Sequence, residues 1–237
     1  MNTETLDQPI VADVAVSAPA VVIESAAPAV AAVAEGPNPF IALGLDGALV
    51  RAVSDLGYTQ PTEVQAKVIP LAMGSGKADE ASIDLMVSSQ TGSGKTAAFL
   101  LPVLNTLIAQ KAIEAAAEQA EFERQRAQAA ASGEAAPKRA KRKNPMQSRN
   151  FKAAVPGALV LCPTRELAQQ VAQDAIELVK HCKNLRVANV VGGMPYQLQI
   201  AKLQNADLVV ATPGRLLDLQ RSLQIKLDKV QFLVVDE

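Results

Sequence analysis

The segment Leu85-Met86-Val87-Ser88-Ser89-Gln90-Thr91-Gly92-Ser93-Gly94-Lys95-Thr96 decides the fold of this 237-residue chain. A short apolar run leads into a small-residue loop, and the loop opens a helical pattern over Gly94 to Gln110. A phosphate-binding loop needs small residues so that successive backbone N–H groups converge on an anion at a helix N-terminus. Gly92, Ser93 and Gly94 supply that backbone beside Ser89, Gln90 and Thr91. Lys95 adds a charge for the β- and γ-phosphates, and the Thr96 hydroxyl can ligate Mg²⁺. The generic pattern places glycine six residues before the lysine, and here that residue is Ser89, still small. Gly74-Ser75-Gly76-Lys77 shares the Gly-x-Gly-Lys core. It lacks a preceding strand and a following hydroxyl, and is read as a loop.

Outward from this loop, short apolar runs recur at Ala158 to Leu161, Val187 to Val191, Leu208 to Val210 and Phe232 to Val235. Helical stretches alternate with them at Glu166 to Lys180, Pro195 to Leu203 and Arg215 to Ser222. Two more helices, Leu45 to Leu56 and Thr62 to Met73, precede the loop, the second on a Pro-Thr start signal. Strands apolar on both faces that alternate with helices predict an α/β fold, a parallel sheet with helices on both faces.

Composition narrows the class. The 23 Lys and Arg nearly cancel the 24 Asp and Glu, but they are unevenly placed. Residues 1–36 form an Ala/Val/Pro tract with five acidic residues, no basic one and no aromatic side chain. Such a tract buries too little apolar surface to offset its ordering entropy, so a disordered tail is expected. Seven basic residues and no acidic one lie between Lys138 and Lys152. Together with the helix-forming Ala109 to Ala131 they mark a surface insertion over about 109–152, either solvated or in contact with RNA phosphates.

Cys162 and Cys182 lack metal-ligand spacing and read as buried, reduced thiols. His181 reads as a surface helix-end residue. The apolar N-terminal stretch is interrupted by Asp13, Pro19, Glu24 and Pro28 and lacks a positive n-region. A cytoplasmic protein with no membrane partner is expected.

Further motifs sit at the C-terminal ends of the apolar runs, where open α/β sheets place their binding loops. They are Pro163-Thr164-Arg165-Glu166-Leu167-Ala168-Gln169-Gln170, then Gly192-Gly193, then Thr212-Pro213-Gly214-Arg215. Hydroxyls, exposed N–H groups and arginines at such points can grip a sugar–phosphate backbone. Singly, each also reads as a helix start or a turn. Upstream, Gly57-Tyr58-Thr59-Gln60-Pro61-Thr62-Glu63-Val64-Gln65 follows Phe40. The Gln65 amide can pair with the N6/N7 edge of adenine, and an aromatic ring can stack on the base. Alone, Gln65 would be an ordinary helix residue.

In this order, the motifs over residues 37–237 resemble the DEAD-box family of superfamily 2 RNA helicases. Gly57 to Gln65 looks like the Q motif, Ser89 to Thr96 like motif I and Pro163 to Gln170 like motif Ia. Gly192-Gly193 is similar to the GG element, and Thr212 to Arg215 to motif Ib. Val234-Val235-Asp236-Glu237 looks like motif II stopped after two of its four letters. Ser89 departs from the family's usual alanine, and the insertion is longer than in most members.

The resemblance implies a RecA-like P-loop domain that ends early, leaving one sheet face short of cover. It implies ATP as substrate with Mg²⁺, with Gln65, Tyr58 and Phe40 at the base and Ser89 to Thr96 at the triphosphate. Thr96 and, through water, Asp236 would hold Mg²⁺. Lys95, Asp236 and Glu237 would be catalytic, Glu237 orienting or deprotonating the attacking water. RNA would lie across Pro163, Thr164, Arg165, Glu166, Gly192, Gly193, Thr212, Pro213, Gly214 and Arg215. A second RecA-like domain would complete the enzyme, so this chain by itself is expected to bind nucleotide and RNA weakly without unwinding. Two other readings are a superfamily 2 DNA helicase or translocase, and a non-catalytic RNA-binding adaptor. The Gln65 and Pro163 to Gln170 segments weigh against the first, and the complete set Lys95, Thr96, Asp236 and Glu237 against the second.

Overall fold

A computed structural model describes residues 21–25, 38–74, 84–132 and 152–237. The basic run except Lys152 and most of the expected tail lie outside these residues, as does the rest of the loop that starts at Gly74. In chain order the elements are β1 (Val21–Ser25), α1 (Gly47–Asp55), α2 (Glu63–Met73), β2 (Leu85–Ser89), α3 (Lys95–Ser132) and β3 (Ala158–Leu161). They continue with α4 (Arg165–Leu178), β4 (Val187–Val190), α5 (Tyr196–Leu203), β5 (Leu208–Ala211), α6 (Pro213–Arg221) and β6 (Phe232–Val235).

All strand pairings are parallel, as alternating strands and helices predict. The order β4-β5-β3-β6 makes one four-stranded sheet, and β1-β2 a separate pair. Ala158 of β3 stands in register with Leu208 of β5 and Phe232 of β6. Parallel register of this kind brings the C-terminal ends of successive strands to one edge, and the loops with chemistry emerge there.

One expectation is corrected. Within the tail read as disordered, Val21–Ser25 forms a strand that pairs in parallel with β2, Val21 opposite Leu85 and Ser25 opposite Ser89. Its Val-Val-Ile core is β-branched, and β2 offers an open edge of backbone donors and acceptors. The α/β arrangement of parallel strands and helices is as expected, and so is a face short of cover. Met86 is 62% exposed, Leu233 61% and Val235 69%, so the strands β2 and β6 present one uncovered apolar face. The other face of both strands packs inward.

α3 is the organising helix. Leu100, Leu101, Leu104 and Leu107 are buried in the main core with Ile69, Leu49, Val160, Val171 and Leu208. Burial stabilises the fold by roughly 1.5–3 kcal/mol for each such side chain. α3 is long and apolar enough to cross a membrane by length and composition, yet these leucines are buried inside the domain. The Ala/Glu/Gln-rich stretch predicted to be an insertion continues the same helix without a break to Ser132, giving a rod of about 57 Å at 1.5 Å per residue. Its base is anchored by Lys111 Nζ, 2.8 Å from Asp207 Oδ1, and by a hydrogen bond from Gln110 to Gln231. Beyond Ala112 nearly every side chain is exposed.

Cys162 is buried, whereas Cys182 is only half-buried. Burial pushes both thiols up to about 11. His181, just past α4, sits 2.7 Å from Asp55 Oδ2 and links α4 to α1.

Candidate functional site

The phosphate loop leaves the C-terminal end of β2 and turns into α3 at Lys95. Two of its glycines have backbone angles that L side chains rarely adopt, Gly92 at φ 81° and Gly94 at φ 86°. Gly94 is also confined by space, since a Cβ there would lie 2.5 Å from Gln65 Nε2. A hydroxyl pair closes the loop, Ser89 Oγ to Ser93 Oγ at 2.6 Å. The serine that departs from the generic glycine therefore has a local partner.

Lys95 Nζ donates to the carbonyls of Ser89 at 2.5 Å and Gln90 at 3.1 Å. The ammonium thus fills the centre of the loop, where a phosphate group would otherwise sit.

Gln65 joins the upstream motif to this loop. Thr62 and Gln65 form a reciprocal capping box at the start of α2. The Thr62 hydroxyl accepts from Gln65 N at 3.3 Å, and Gln65 Oε1 accepts from Thr62 N at 3.0 Å. Gln65 Nε2 donates to the Gly94 carbonyl at 3.2 Å. Gln65 is 4% exposed, and both ends of its amide are engaged within the protein. Phe40, expected at the base, is fully buried against the α1 and α3 core and offers no ring face in this conformation. Tyr58 is 40% exposed, and its hydroxyl titrates higher than usual through burial and the nearby Asp174 and Glu177 of α4.

Asp236 and Glu237 follow β6. The Asp236 amide donates to the Leu161 carbonyl at 2.9 Å, which extends the β3–β6 ladder by one residue. Burial raises the Asp236 carboxyl above its ordinary range, Glu237 adds to the rise and Lys95 opposes it. Ser88, Ser89, Thr91, Lys95, Asp236 and Glu237 all line one cleft of about 1180 Å³ between β2 and β6. The structure therefore brings Lys95 of motif I and the terminal Asp-Glu together, although Lys95 and Asp236 lie 141 positions apart in the sequence.

Among the described residues no cluster of three or more His, Cys, Asp or Glu could cage a metal. One hydroxyl and two carboxylates beside a phosphate loop suit Mg²⁺, which keeps waters and takes its other ligands from phosphates.

The remaining motif residues gather at a second, smaller cleft of about 280 Å³ lined by Pro163, Arg165, Gly192, Thr212, Gly214, Arg215 and Asp218. Arg165 packs on the glycine pair. Gly193 has φ 85°, and a Cβ there would lie 2.8 Å from Arg165 Nη1. Thr164 caps α4, its Oγ1 accepting from Leu167 N at 3.2 Å, and Glu166 lies in the first turn. Thr212 precedes α6 with no cap hydrogen bond from its side chain, and Pro213 takes the first helical position. Arg215 is held on several sides. Its Nε donates to Gln199 Oε1 at 2.9 Å and its Nη2 to the Met194 carbonyl at 3.2 Å, while the guanidinium lies 4.7 Å from the Tyr196 ring centroid. The sequence reading missed Gln199, which looks like one polar position of an amphipathic helix.

A parallel sheet, a phosphate loop at the start of its central helix and acidic residues across the cleft define a RecA-like P-loop nucleotide-binding domain. Residues 62–237 match the family model for DEAD/DEAH box helicases. The chain belongs to that family, as the N-terminal domain of a DEAD-box helicase. It is 39% identical over 199 residues to DEAD-box ATP-dependent RNA helicase 52A of Oryza sativa subsp. japonica, covering 84% of this chain and 27% of that protein. Identity to ATP-dependent RNA helicase DeaD of Escherichia coli strain K12 is 34%, covering 86% of this chain and 25% of that protein. The structure of S. cerevisiae Dbp5 bound to RNA and ADP BeF3 matches with a TM-score of 0.56 at 26% identity, over 85% of this chain and 38% of that one. The chain thus spans about a quarter of the length of these two curated relatives.

Proposed function

We propose that this chain is the nucleotide-binding half of an ATP-dependent RNA helicase that acts in the cytoplasm and couples ATP hydrolysis to local separation of RNA duplexes. The observation that carries the proposal is the cleft lined jointly by Ser89, Thr91 and Lys95 of the phosphate loop and by Asp236 and Glu237.

Phosphoryl transfer depends mainly on positioning and charge neutralisation. The N–H groups of Gly92 to Thr96, at the N-terminus of α3, hold the phosphates. Lys95 exchanges the Ser89 and Gln90 carbonyls for phosphate oxygens. Thr96 and, through water, Asp236 would hold Mg²⁺, which would supply charge neutralisation for the triphosphate. Glu237 orients or deprotonates the attacking water. Gln65 senses the nucleotide from the base side while bound to Gly94 of the loop. RNA lies across the smaller cleft and is gripped by its sugar–phosphate backbone, with little sequence preference. A second RecA-like domain completes the site and supplies the transition-state arginines, so this chain alone binds nucleotide and RNA weakly and does not unwind.

ATP hydrolysis by the chain together with such a second domain, measured with and without RNA, tests the proposal. Strong RNA stimulation that Lys95→Ala abolishes supports it. Nucleotide binding without turnover would instead make the chain an RNA-binding adaptor.

A further inference from the structure

We propose that Gln199 is the positioning residue of the RNA site, fixing the Arg215 guanidinium against the glycine turn. The inference rests on the proposed function for its RNA readout, and on geometry for the rest.

Gln199 lies on α5 and is 0% exposed, the most completely buried polar side chain among the described residues. A buried amide is costly unless its donors and acceptor are met. Here the two ends meet different parts of the site. Nε2 donates to the Val191 carbonyl at 2.5 Å, directly before Gly192-Gly193, and Oε1 accepts from Arg215 Nε at 2.9 Å. The orientation of the amide is dictated by its neighbours, because a guanidinium only donates and a backbone carbonyl only accepts. One side chain thereby bridges the end of β4, helix α5 and the first turn of α6.

The bridge constrains the arginine's remaining freedom. With Nε on Gln199, Nη2 on Met194 O and the ring of Tyr196 against its face, the guanidinium is held in a single plane at the edge of the cleft. Among the described residues nothing accepts from Nη1. A long, flexible cation loses entropy when it binds a phosphate, and a guanidinium fixed beforehand loses less. Gln199 touches no ligand itself. Its contribution reaches RNA through Arg215.

The experiment measures binding of a fluorescein-labelled single-stranded oligouridine RNA to this chain as a function of salt. The variants are Gln199→Met, Arg215→Ala and the pair combined. Gln199→Met keeps the volume and removes both hydrogen bonds. The expected result is RNA affinity weakened roughly tenfold, with the salt slope reduced by about 0.7 as for loss of one phosphate contact. Nucleotide affinity stays unchanged, and in the Arg215→Ala background Gln199→Met has no further effect. Equal losses in both backgrounds, or an unchanged salt slope, overturn the positioning role. If Gln199→Met does not fold, Tyr196→Leu replaces it, removing the ring from the partly exposed side of the same arginine, with the same expected non-additivity. Absence of RNA binding by the unsubstituted chain overturns the RNA reading itself and this inference with it. Retained binding with an unaffected variant overturns only the inference.

Discussion

Gln65 Nε2 donates to the Gly94 carbonyl at 3.2 Å, so helix α2 is tied to the phosphate loop by a side chain whose other end caps its own helix. A change in the loop conformation at Gly94 therefore reaches the start of α2 directly.

Gln65→Ala removes the capping acceptor and leaves the Gly94 carbonyl without its partner. The expected loss of stability is about 1–2 kcal/mol, read from urea unfolding. Nucleotide affinity falls as well. Gln65→Glu restores the acceptor to Thr62 N but places a carboxylate opposite the Gly94 carbonyl, so it recovers part of the stability and none of the affinity. Equal stability of wild type and Gln65→Ala would show that the capping box contributes nothing.

Ser89 and Lys95 differ in what they contribute to the loop. Ser89→Ala breaks only the hydroxyl contact with Ser93, and nucleotide affinity is expected to stay within about twofold. Lys95→Ala removes the cation that takes the phosphates, and binding of a fluorescent adenine nucleotide is expected to drop by at least roughly tenfold. A large effect of Ser89→Ala would mean that the hydroxyl pair shapes the loop.

Asp207 joins the base of the long helix to the sheet, with Oδ1 on Lys111 Nζ and Oδ2 accepting from Arg186 N at 3.0 Å. Asp207→Ala leaves the Arg186 amide without its side-chain acceptor, at a cost of about 1–3 kcal/mol in unfolding free energy. The Lys111 ammonium titrates above its ordinary value, chiefly through its hydrogen bond to Asp207. A raised folded value stabilises below the unfolded value and fades as pH rises through the folded one. The Lys111 contribution is thus intact at neutral pH and fades only in strong alkali. A stability profile of Lys111→Met that runs parallel to wild type up to pH 9 and converges on it above pH 10.5 is the expected pattern. Convergence already at neutral pH would contradict it.

The two thiols offer a separate check on packing. Burial is the leading cause that pushes Cys162 and Cys182 from 9.0 to about 11. At pH 8 iodoacetamide is expected to alkylate the native protein at least roughly tenfold more slowly than the urea-unfolded chain, because the thiolate is the reacting species. Similar rates in the two states would place the cysteines at the surface.

Much of the site was legible because its signals are local. A strand, a small-residue loop and a helix are adjacent in sequence, and Pro213 and Thr164 stand at helix starts where their chemistry predicts them. The Thr62–Gln65 spacing is likewise a capping-box signature, although the sequence reading took only the Pro-Thr start from it. Val21–Ser25 was hidden, since five residues in an Ala/Val/Pro tract gain order only from an open edge elsewhere in the fold. The burial of Phe40 and the bridge made by Gln199 depend on tertiary neighbours, and helical periodicity does not distinguish a polar residue at the surface from one sealed beneath an arginine. The length of α3 was legible, because the helix-forming Ala109 to Ala131 follows directly on the helix that the phosphate loop opens, and α3 runs to Ser132.

The separation of β1-β2 from β4-β5-β3-β6 has a mechanical consequence. The cradle for phosphate stands on one plate and the Asp236–Glu237 pair on another, and among the described residues no rung of backbone hydrogen bonds joins the plates. Their spacing is set by side chains leaning on a shared rod, α3, which is a compliant joint compared with a continuous ladder. A nucleotide lying across the gap would then act as a rivet, and stiffness of the reactive geometry would arrive with the substrate.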